Sequence, residues 1–208
     1  MIDLYSWQTS NGRKVSIALE ELGLEYTVHP INIGADDQFS PGFTAISPNQ
    51  KIPAIVDNDG PDGKPIALFE SGAILIYLAR KTGQLLPGEP HAEFETLQWL
   101  MWQMGGVGPI FGQVHHFKRA AKEAVPYALA RYSKECERLY GVLNKRLEGR
   151  DFVAAECYTI ADIAIFPWVA RFDWQEVDLA KFPNVKRWFE AIGQRPAVQA
   201  GLQIPPRP

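Results

Sequence analysis

Hydrophobic periodicity changes once along this chain, and that change limits the fold more than any other feature. Up to "GQLLPGEPHAE" apolar residues fall alternately at strand and helix spacing; beyond it only helix spacing occurs. "IDLY" opens as a short strand, and Asn11 to Gly23 follows as a helix with Val15, Ala18, Leu19 and Leu22 on one face. "YTVHPINI" reads as a second strand and "SPGFTAISP" as a short helical turn bracketed by prolines. "IPAIVD" and "IALF" flank the turn-rich "NDGPDGKP", which predicts a hairpin of the third and fourth strands. A helix then runs from Glu70, with Ile74, Leu75 and Leu78 in register. The order βαβαββα makes residues 1–82 an α/β domain, 83–86 a linker and 87–208 an all-helical domain. Helices in the second part are expected from Ala92 to about Gly106, Tyr127 to about Glu148, Ile160 to about Phe172 and Asn184 to about Ile192, with a short terminal one after them.

The 208 residues, 46% of them hydrophobic, suffice for a full core, and a net charge of -3 offers no attraction for nucleic acid or an anionic membrane. A small-molecule or protein partner is expected instead. "MIDLYSWQTS" lacks the pattern of a signal peptide and no apolar run reaches membrane-span length, so a cytoplasmic location is the default expectation. Cys136 and Cys157 form no CxxC, which argues against a disulfide scaffold or a structural zinc site. Both read as small buried hydrophobes. His115 and His116 are adjacent, so they cannot share a helix face as metal ligands, and no metal is expected. Trp99, Trp102, Trp168, Trp174 and Trp188 read mostly as core.

Three stretches carry residues that could do chemistry. "SWQTSNGRK" sets Ser6, Thr9, Ser10 and Asn11 at the start of the first helix, where small polar groups cap the helix and also donate to an anion. "NQKIPAIV" puts Pro53 at a strand start. A cis Ile52–Pro53 bond would turn the preceding backbone outward and let Ile52 pair with an extended ligand; an ordinary trans edge proline is the other reading. "LFESGAILIYL" places Glu70 and Ser71 at a helix entry. They either cap the helix or receive the ammonium and carboxylate of a free amino-acid backbone. "TIADIAIFPW" is structural: Thr159 caps the helix that begins at Ile160, and Asp162 completes a capping box with Asp in place of Glu.

The succession of an N-terminal strand ending in a polar cluster, "KIPAIVD", "FESGAILIYLA" and a helical part containing "TIADI" resembles the cytosolic glutathione transferases over essentially the whole chain. "TSNGRK", "QFSPGFTAISPNQKIPAIVD" and "LQWLMWQMGGVGPIFGQVHHF" are most similar to the bacterial nu-class, a group similar to the glutathione-binding domain of a yeast nitrogen regulator. The resemblance implies a thioredoxin-like domain, a helical glutathione transferase domain and a homodimer. It implies the cis-proline role for Pro53 and a glutathione γ-glutamyl clamp at Glu70 and Ser71. It places Thr9 and Asn11 at the glutathione sulfur, Gln38 and Lys51 at the glycyl carboxylate, Ile52 as a backbone partner and Arg131 as a contact from the helical domain. Ser6 and Ser10 are alternative sulfur contacts, and Tyr5 reads as a strand core residue.

Other branches use tyrosine, serine or cysteine at the sulfur; this thioredoxin-like domain has no cysteine. Thiol–disulfide exchange here therefore needs both sulfurs from glutathione. The nu-class resemblance implies two glutathiones or one glutathione disulfide per site, with reduction of small disulfides and of peroxides ahead of conjugation. The alternatives are conjugation of glutathione to electrophiles beside an apolar pocket built from Trp102, Phe111 and Phe117, and a non-catalytic glutathione-binding regulatory module.

Overall fold

The structure, a computed structural model, describes residues 1–206. The chain forms two compact units: Met1–Gln84 together with the segment from Gln194 on, and Leu85–Gly193.

In the first unit, β1 (Ile2–Ser6), α1 (Ser10–Glu21), β2 (Tyr26–Pro30), α2 (Pro41–Ile46), β3 (Ala54–Asp57), β4 (Ile66–Phe69) and α3 (Ser71–Thr82) follow in the expected order. The four strands make one sheet in the order β2-β1-β3-β4. β1 pairs parallel with β2, Leu4 opposite Val28, and antiparallel with β3, Leu4 opposite Ile55. β3 and β4 form the hairpin, Ile55 opposite Leu68. Alternation along β1 buries Ile2, Leu4 and Ser6. α1 packs against α3, and Val15, Ile17, Ala18 and Leu19 of α1 join Ile74, Leu75 and Leu78 of α3 in the core. This is the thioredoxin-like arrangement expected, with the end of β1 feeding directly into the N-terminus of α1.

The sequence reading assigned the whole of 87–208 to the helical part. In the structure α10 (Pro196–Gly201) packs on α1 of the first unit. Arg195 makes a two-pronged ion pair with Glu21 at 2.7 and 2.8 Å, Ser16 Oγ donates to Gly201 C=O at 2.7 Å and Gln8 Nε2 to Pro205 C=O at 2.6 Å. Gly201 allows the approach: a Cβ there would lie 2.6 Å from Ile17 Cα. Periodicity reports a helix but not which core it joins.

In the second unit, α4 (Pro90–Trp102) runs through a π-turn at Gln103–Val107 into α5 (Gly108–His115) and a second π-turn at His116–Ala120. α6 (Pro126–Arg146), α7 (Ile160–Val169), α8 (Phe172–Gln175) and α9 (Pro183–Gly193) complete it. α7 is buried along its whole length and packs against α4, α5 and α9. The expected capping box is present: Asp162 Oδ2 accepts from Thr159 N–H at 3.0 Å, and Thr159 Oγ1 accepts from Ala161 N–H at 3.3 Å. Helix over 108–120 lies outside the helices expected from the sequence, which stop at about Gly106 and resume at Tyr127. Its glycines serve packing: a Cβ on Gly112 would meet the Trp168 indole at 3.5 Å, and one on Gly108 would lie 2.8 Å from Gln103 Nε2. Trp168 and Trp188 are buried, whereas Trp99, Trp102 and Trp174 are half-buried. Cys136 is buried, but Cys157 is exposed, in the turn that follows Ala155 and Glu156, both at positive φ. No helix among the described residues is long and apolar enough to cross a membrane.

Candidate functional site

Thr9 is the N-cap of α1, extended at φ -108° and ψ 164°. Its Oγ1 accepts from Gly12 N–H at 3.0 Å, and its carbonyl accepts from Arg13 N–H at 3.0 Å. The cap uses a lone pair of Oγ1 and not its proton, so the hydroxyl keeps the capacity to donate. Thr9 and Asn11 are half-buried, whereas Ser6 and Ser10 are buried at 0% and 4% exposure. The first turn contains no acidic residue, so the positive end of the helix dipole is not offset locally. Thr9 N–H donates to Trp7 C=O at 2.7 Å, a tight turn folded back over the helix start. Gly12 permits it: a Cβ would lie 2.2 Å from the Trp7 carbonyl oxygen and 2.5 Å from Ser6 Oγ. This requirement was not read from the sequence, where "NGRK" passes as a helix opening.

The loop before β3 is held from below. Buried Ser47 donates through Oγ to Lys51 C=O at 2.9 Å, and Gln50, at φ 55°, donates to Ser47 C=O at 2.8 Å. Lys51 is exposed, Ile52 half-buried and Pro53 buried, and the Ile52–Pro53 bond is cis. The ladder of β3 with β1 begins at Ala54, opposite Tyr5, so Ile52 lies outside it. Gln38, in the 3-10 turn Asp37–Phe39, is buried at 9% exposure. Its Nε2 donates to Asp36 at 3.3 Å, and its Oε1 is buried with no hydrogen-bond partner. Tyr5 is half-buried and stacks on His29 with ring centroids 4.6 Å apart.

Glu70 stands at the N-cap position of α3 but its side chain makes no capping hydrogen bond. Its carbonyl receives Ile74 N–H at 2.9 Å. Its backbone, at φ 70° and ψ 108°, lies outside the ordinary wells, a placement that costs a non-glycine residue about 1–3 kcal/mol and concentrates at functional sites. The exposed carboxylate is thus held at the helix mouth without capping it. Ser71 beside it is buried at 4% exposure, and its Oγ accepts from Lys14 Nζ at 3.2 Å. Lys14 is fully buried at 0% exposure. Burial pulls its ammonium down to about 7, against the pull of Glu70. Sequence reasoning missed Lys14; the available signal was a lysine one turn before Ala18 and next to Val15 on the apolar side of α1.

Arg131 lies on α6 of the second unit, exposed, lining a hollow of about 670 Å³ with Ile110, Tyr127 and Tyr132. Phe111 is a core residue stacked on Tyr140 at 4.9 Å, Phe117 stacks on Tyr132 at 5.7 Å, and Trp102 meets Trp99 edge-on at 5.1 Å. His115 stacks on Trp168, and its Nε2 lies 3.2 Å from Gln175 Nε2. Burial, with Arg171 and Arg119, presses its pKa down to about 4. His116 is exposed. No group of three or more His, Cys, Asp or Glu side chains among the described residues could hold a metal ion.

A half-buried hydroxyl and amide stand at the N-terminus of α1, a carboxylate and a buried hydroxyl at that of α3, and Ile52 lies outside the strand ladder beside Pro53. The glutathione S-transferase N-terminal domain matches residues 10–81, and the glutathione S-transferase C-terminal domain matches residues 111–196. The chain belongs to the glutathione S-transferase family. It is 53% identical over 203 residues to the disulfide-bond oxidoreductase YfcG of Escherichia coli, across 97% of this chain and 94% of that protein. A Burkholderia graminis glutathione transferase crystallised with two glutathione molecules per subunit is 49% identical with a TM-score of 0.94, covering 100% of this chain and 89% of that one. A Pseudomonas putida glutathione transferase with one glutathione disulfide per subunit is 51% identical with a TM-score of 0.95, covering 98% and 91%.

Proposed function

We propose that this protein is a glutathione-dependent disulfide reductase, in which Thr9 and Asn11 hold a glutathione thiolate and a second glutathione supplies the resolving thiol. The observation that carries the reading is the composition of the α1 start. It offers a donor hydroxyl and an amide at the positive end of a helix, and the unit that bears it contains no cysteine. Such a site stabilises a thiolate and lowers the pKa of the thiol that brings it. The bound thiolate attacks one sulfur of the substrate disulfide, forming a mixed disulfide and releasing the other sulfur as a thiolate that takes a proton from solvent. The second glutathione thiolate attacks the glutathione sulfur of that mixed disulfide, forming glutathione disulfide and expelling the second substrate thiolate. Two glutathiones lose one electron each, and the substrate disulfide gains both. Relatives crystallised with two glutathiones and with one glutathione disulfide per subunit support this sequence.

The reading assigns the γ-glutamyl end of glutathione to Glu70 and Ser71, the peptide backbone to Ile52 beside Pro53, and the glycyl carboxylate to Gln38 and Lys51. It carries with it a cytoplasmic homodimer. Steady-state rates with hydroxyethyl disulfide and with a chloronitrobenzene electrophile, on one preparation, test it: fast reduction and slow conjugation are expected, and fast conjugation without disulfide turnover sinks it.

Thr9→Ala and Asn11→Ala are each expected to lower the reductase rate by a factor corresponding to about 1.5–3 kcal/mol, the worth of a hydrogen bond to a charged group. Thr9→Ala also loses the helix cap, about 1 kcal/mol of stability. Thr9→Ser keeps cap and donor and is expected to stay near the wild-type rate. Unchanged kinetics in both alanine variants would assign the sulfur to another group.

A further inference from the structure

We propose that Gln8 is a positioning residue for the glutathione sulfur: its side chain fastens the Trp7–Thr9 turn to the C-terminal segment, so that this segment holds the Thr9 hydroxyl in place. The inference rests on the reading of Thr9 and Asn11 as the sulfur contacts and adds a residue that acts through another.

The segment from Arg195 to Pro205 runs along α1 in the opposite direction and is fastened to it at three levels. Arg195 pairs with Glu21, the last residue of α1, at 2.7 and 2.8 Å. Midway, Ser16 Oγ donates to Gly201 C=O at 2.7 Å, and Gly201 lets the two backbones close, since a Cβ there would lie 2.6 Å from Ile17 Cα. Just before the first turn of α1, Gln8 Nε2 donates to Pro205 C=O at 2.6 Å. The levels descend through residues 21, 16 and 8 as the segment ascends through 195, 201 and 205. Val198 and Pro205 are buried, so packing holds the segment as well as these bonds.

The third level falls on the turn that carries the sulfur contact. Thr9 is fixed to α1 from one side: its Oγ1 accepts from Gly12 N–H and its C=O from Arg13 N–H, both at 3.0 Å. Gln8 lies between β1 and α1, outside the hydrogen-bond ladders of both, and is anchored to the segment. Such an anchor restricts the backbone freedom that a turn residue otherwise keeps. The accepting carbonyl belongs to a buried residue, and a buried acceptor left without a donor costs free energy, which keeps the tie closed. To swing away from α1, the turn has to break a bond to a segment that is itself held at two further points. Displacements on the order of 1 Å at the Thr9 hydroxyl are enough to lose its hydrogen bond to a thiolate.

The test compares wild type, Gln8→Met, Gly201→Ala and the double variant, each as the full chain. Two properties are read: the pKa of the bound glutathione thiol, from its ultraviolet thiolate absorbance, and kcat and KM for hydroxyethyl disulfide reduction. Gln8→Met keeps the length and loses the donor. It is expected to raise the thiol pKa by up to about 1 and to lower kcat about three- to tenfold, the range of one neutral hydrogen bond. Affinity for S-methylglutathione, which has no thiol to ionise, is expected to stay at the wild-type value. Gly201→Ala pushes the segment off Ile17 and is expected to act in the same direction from the other end of the tie. The double variant is expected to show no more than the larger single effect, because one tie is lost only once. Gln8 has a further contact besides Pro205, and full additivity in the double variant would assign the effect to that contact and overturn the proposal. Wild-type thiol pKa and kcat in either single variant also overturn it. A wild type whose bound glutathione thiol titrates as free glutathione does overturns the reading of the sulfur site itself, and the proposal with it.

Discussion

Gly12→Ala is expected to lower kcat/KM for glutathione-dependent disulfide reduction by about 100-fold or more, equivalent to ~2.7 kcal/mol. The added methyl lies 2.2 Å from the Trp7 carbonyl oxygen and 2.5 Å from Ser6 Oγ, where ordinary contact begins at 3.4 Å. One of those atoms is backbone, so no rotamer change relieves the overlap. The Trp7–Thr9 turn must move away from α1, taking with it the Thr9 hydroxyl that Gly12 N–H now fixes at 3.0 Å. Displacements of about 1 Å at a reacting atom are enough for such losses. Gly141→Ala on α6 is the control, since a Cβ there meets nothing within 4 Å. That exposed-side helix substitution should be neutral or stabilise by up to about 1 kcal/mol. Equal activity of Gly12→Ala and wild type would remove the turn from the account of the site.

Asp162→Ala is expected to destabilise the protein by about 3–5 kcal/mol, visible as a fall in Tm of roughly 6–20 °C. The carboxylate is completely buried. Its Oδ1 accepts from Val153 N–H and Trp188 Nε1–H, both at 2.9 Å, and its Oδ2 from Thr159 N–H at 3.0 Å and Thr159 Oγ1 at 3.1 Å. Alanine strands all of these donors at once and unties the 153–159 segment, the start of α7 and α9 from one another. Asp162→Asn should fall between, because one end of its amide must present N–H groups to N–H donors. Burial lifts the Asp162 carboxyl to about 6, opposed by the donors. The folded state therefore holds the extra proton between the ordinary value of 3.8 and about 6. Stability contributed by this group falls as pH rises through that window and is level above it. Urea unfolding of wild type and Asp162→Ala at pH 4, 5, 6 and 7 checks both magnitude and sign; a wild-type slope retained in the alanine variant would place the titration elsewhere.

The N-terminal fold was legible because each of its elements satisfies a local rule: alternation in β1, a helical stripe in α1 and a turn-dense hairpin between β3 and β4. The capping box at Thr159 and Asp162 was legible for the same reason, being four residues of contiguous sequence. What was not legible depends on distant partners. The helix over 108–115 has glycines at Gly108 and Gly112 whose use appears only when Trp168 is seen packed against them. The segment from Arg195 reads as a last helical turn of the second domain until Glu21 and Ser16 are seen receiving it. In the site, burial distinguishes half-buried Thr9 and Asn11 from buried Ser6 and Ser10, a difference that sequence spacing does not report. Glu70 reads from spacing as either a cap or a ligand contact, and its side chain makes no capping bond. Lys14 escaped notice because a lysine on a helix is ordinarily solvated, and its partner Ser71 is 57 residues away.

The central claim is that the reacting sulfurs belong to glutathione and not to the protein. The two thiols of the chain fit that claim: Cys136 is buried with its pKa pushed up to about 12, and partial desolvation, with the Asp162 carboxylate, raises that of the exposed Cys157. Neither is poised as a thiolate nucleophile. The most direct measurement is the rate of hydroxyethyl disulfide reduction by glutathione with the cysteine-free variant Cys136→Ala/Cys157→Ala. Turnover at the wild-type rate is the result the account predicts; loss of turnover on removing either thiol, or a wild type that reduces no disulfide, would contradict it.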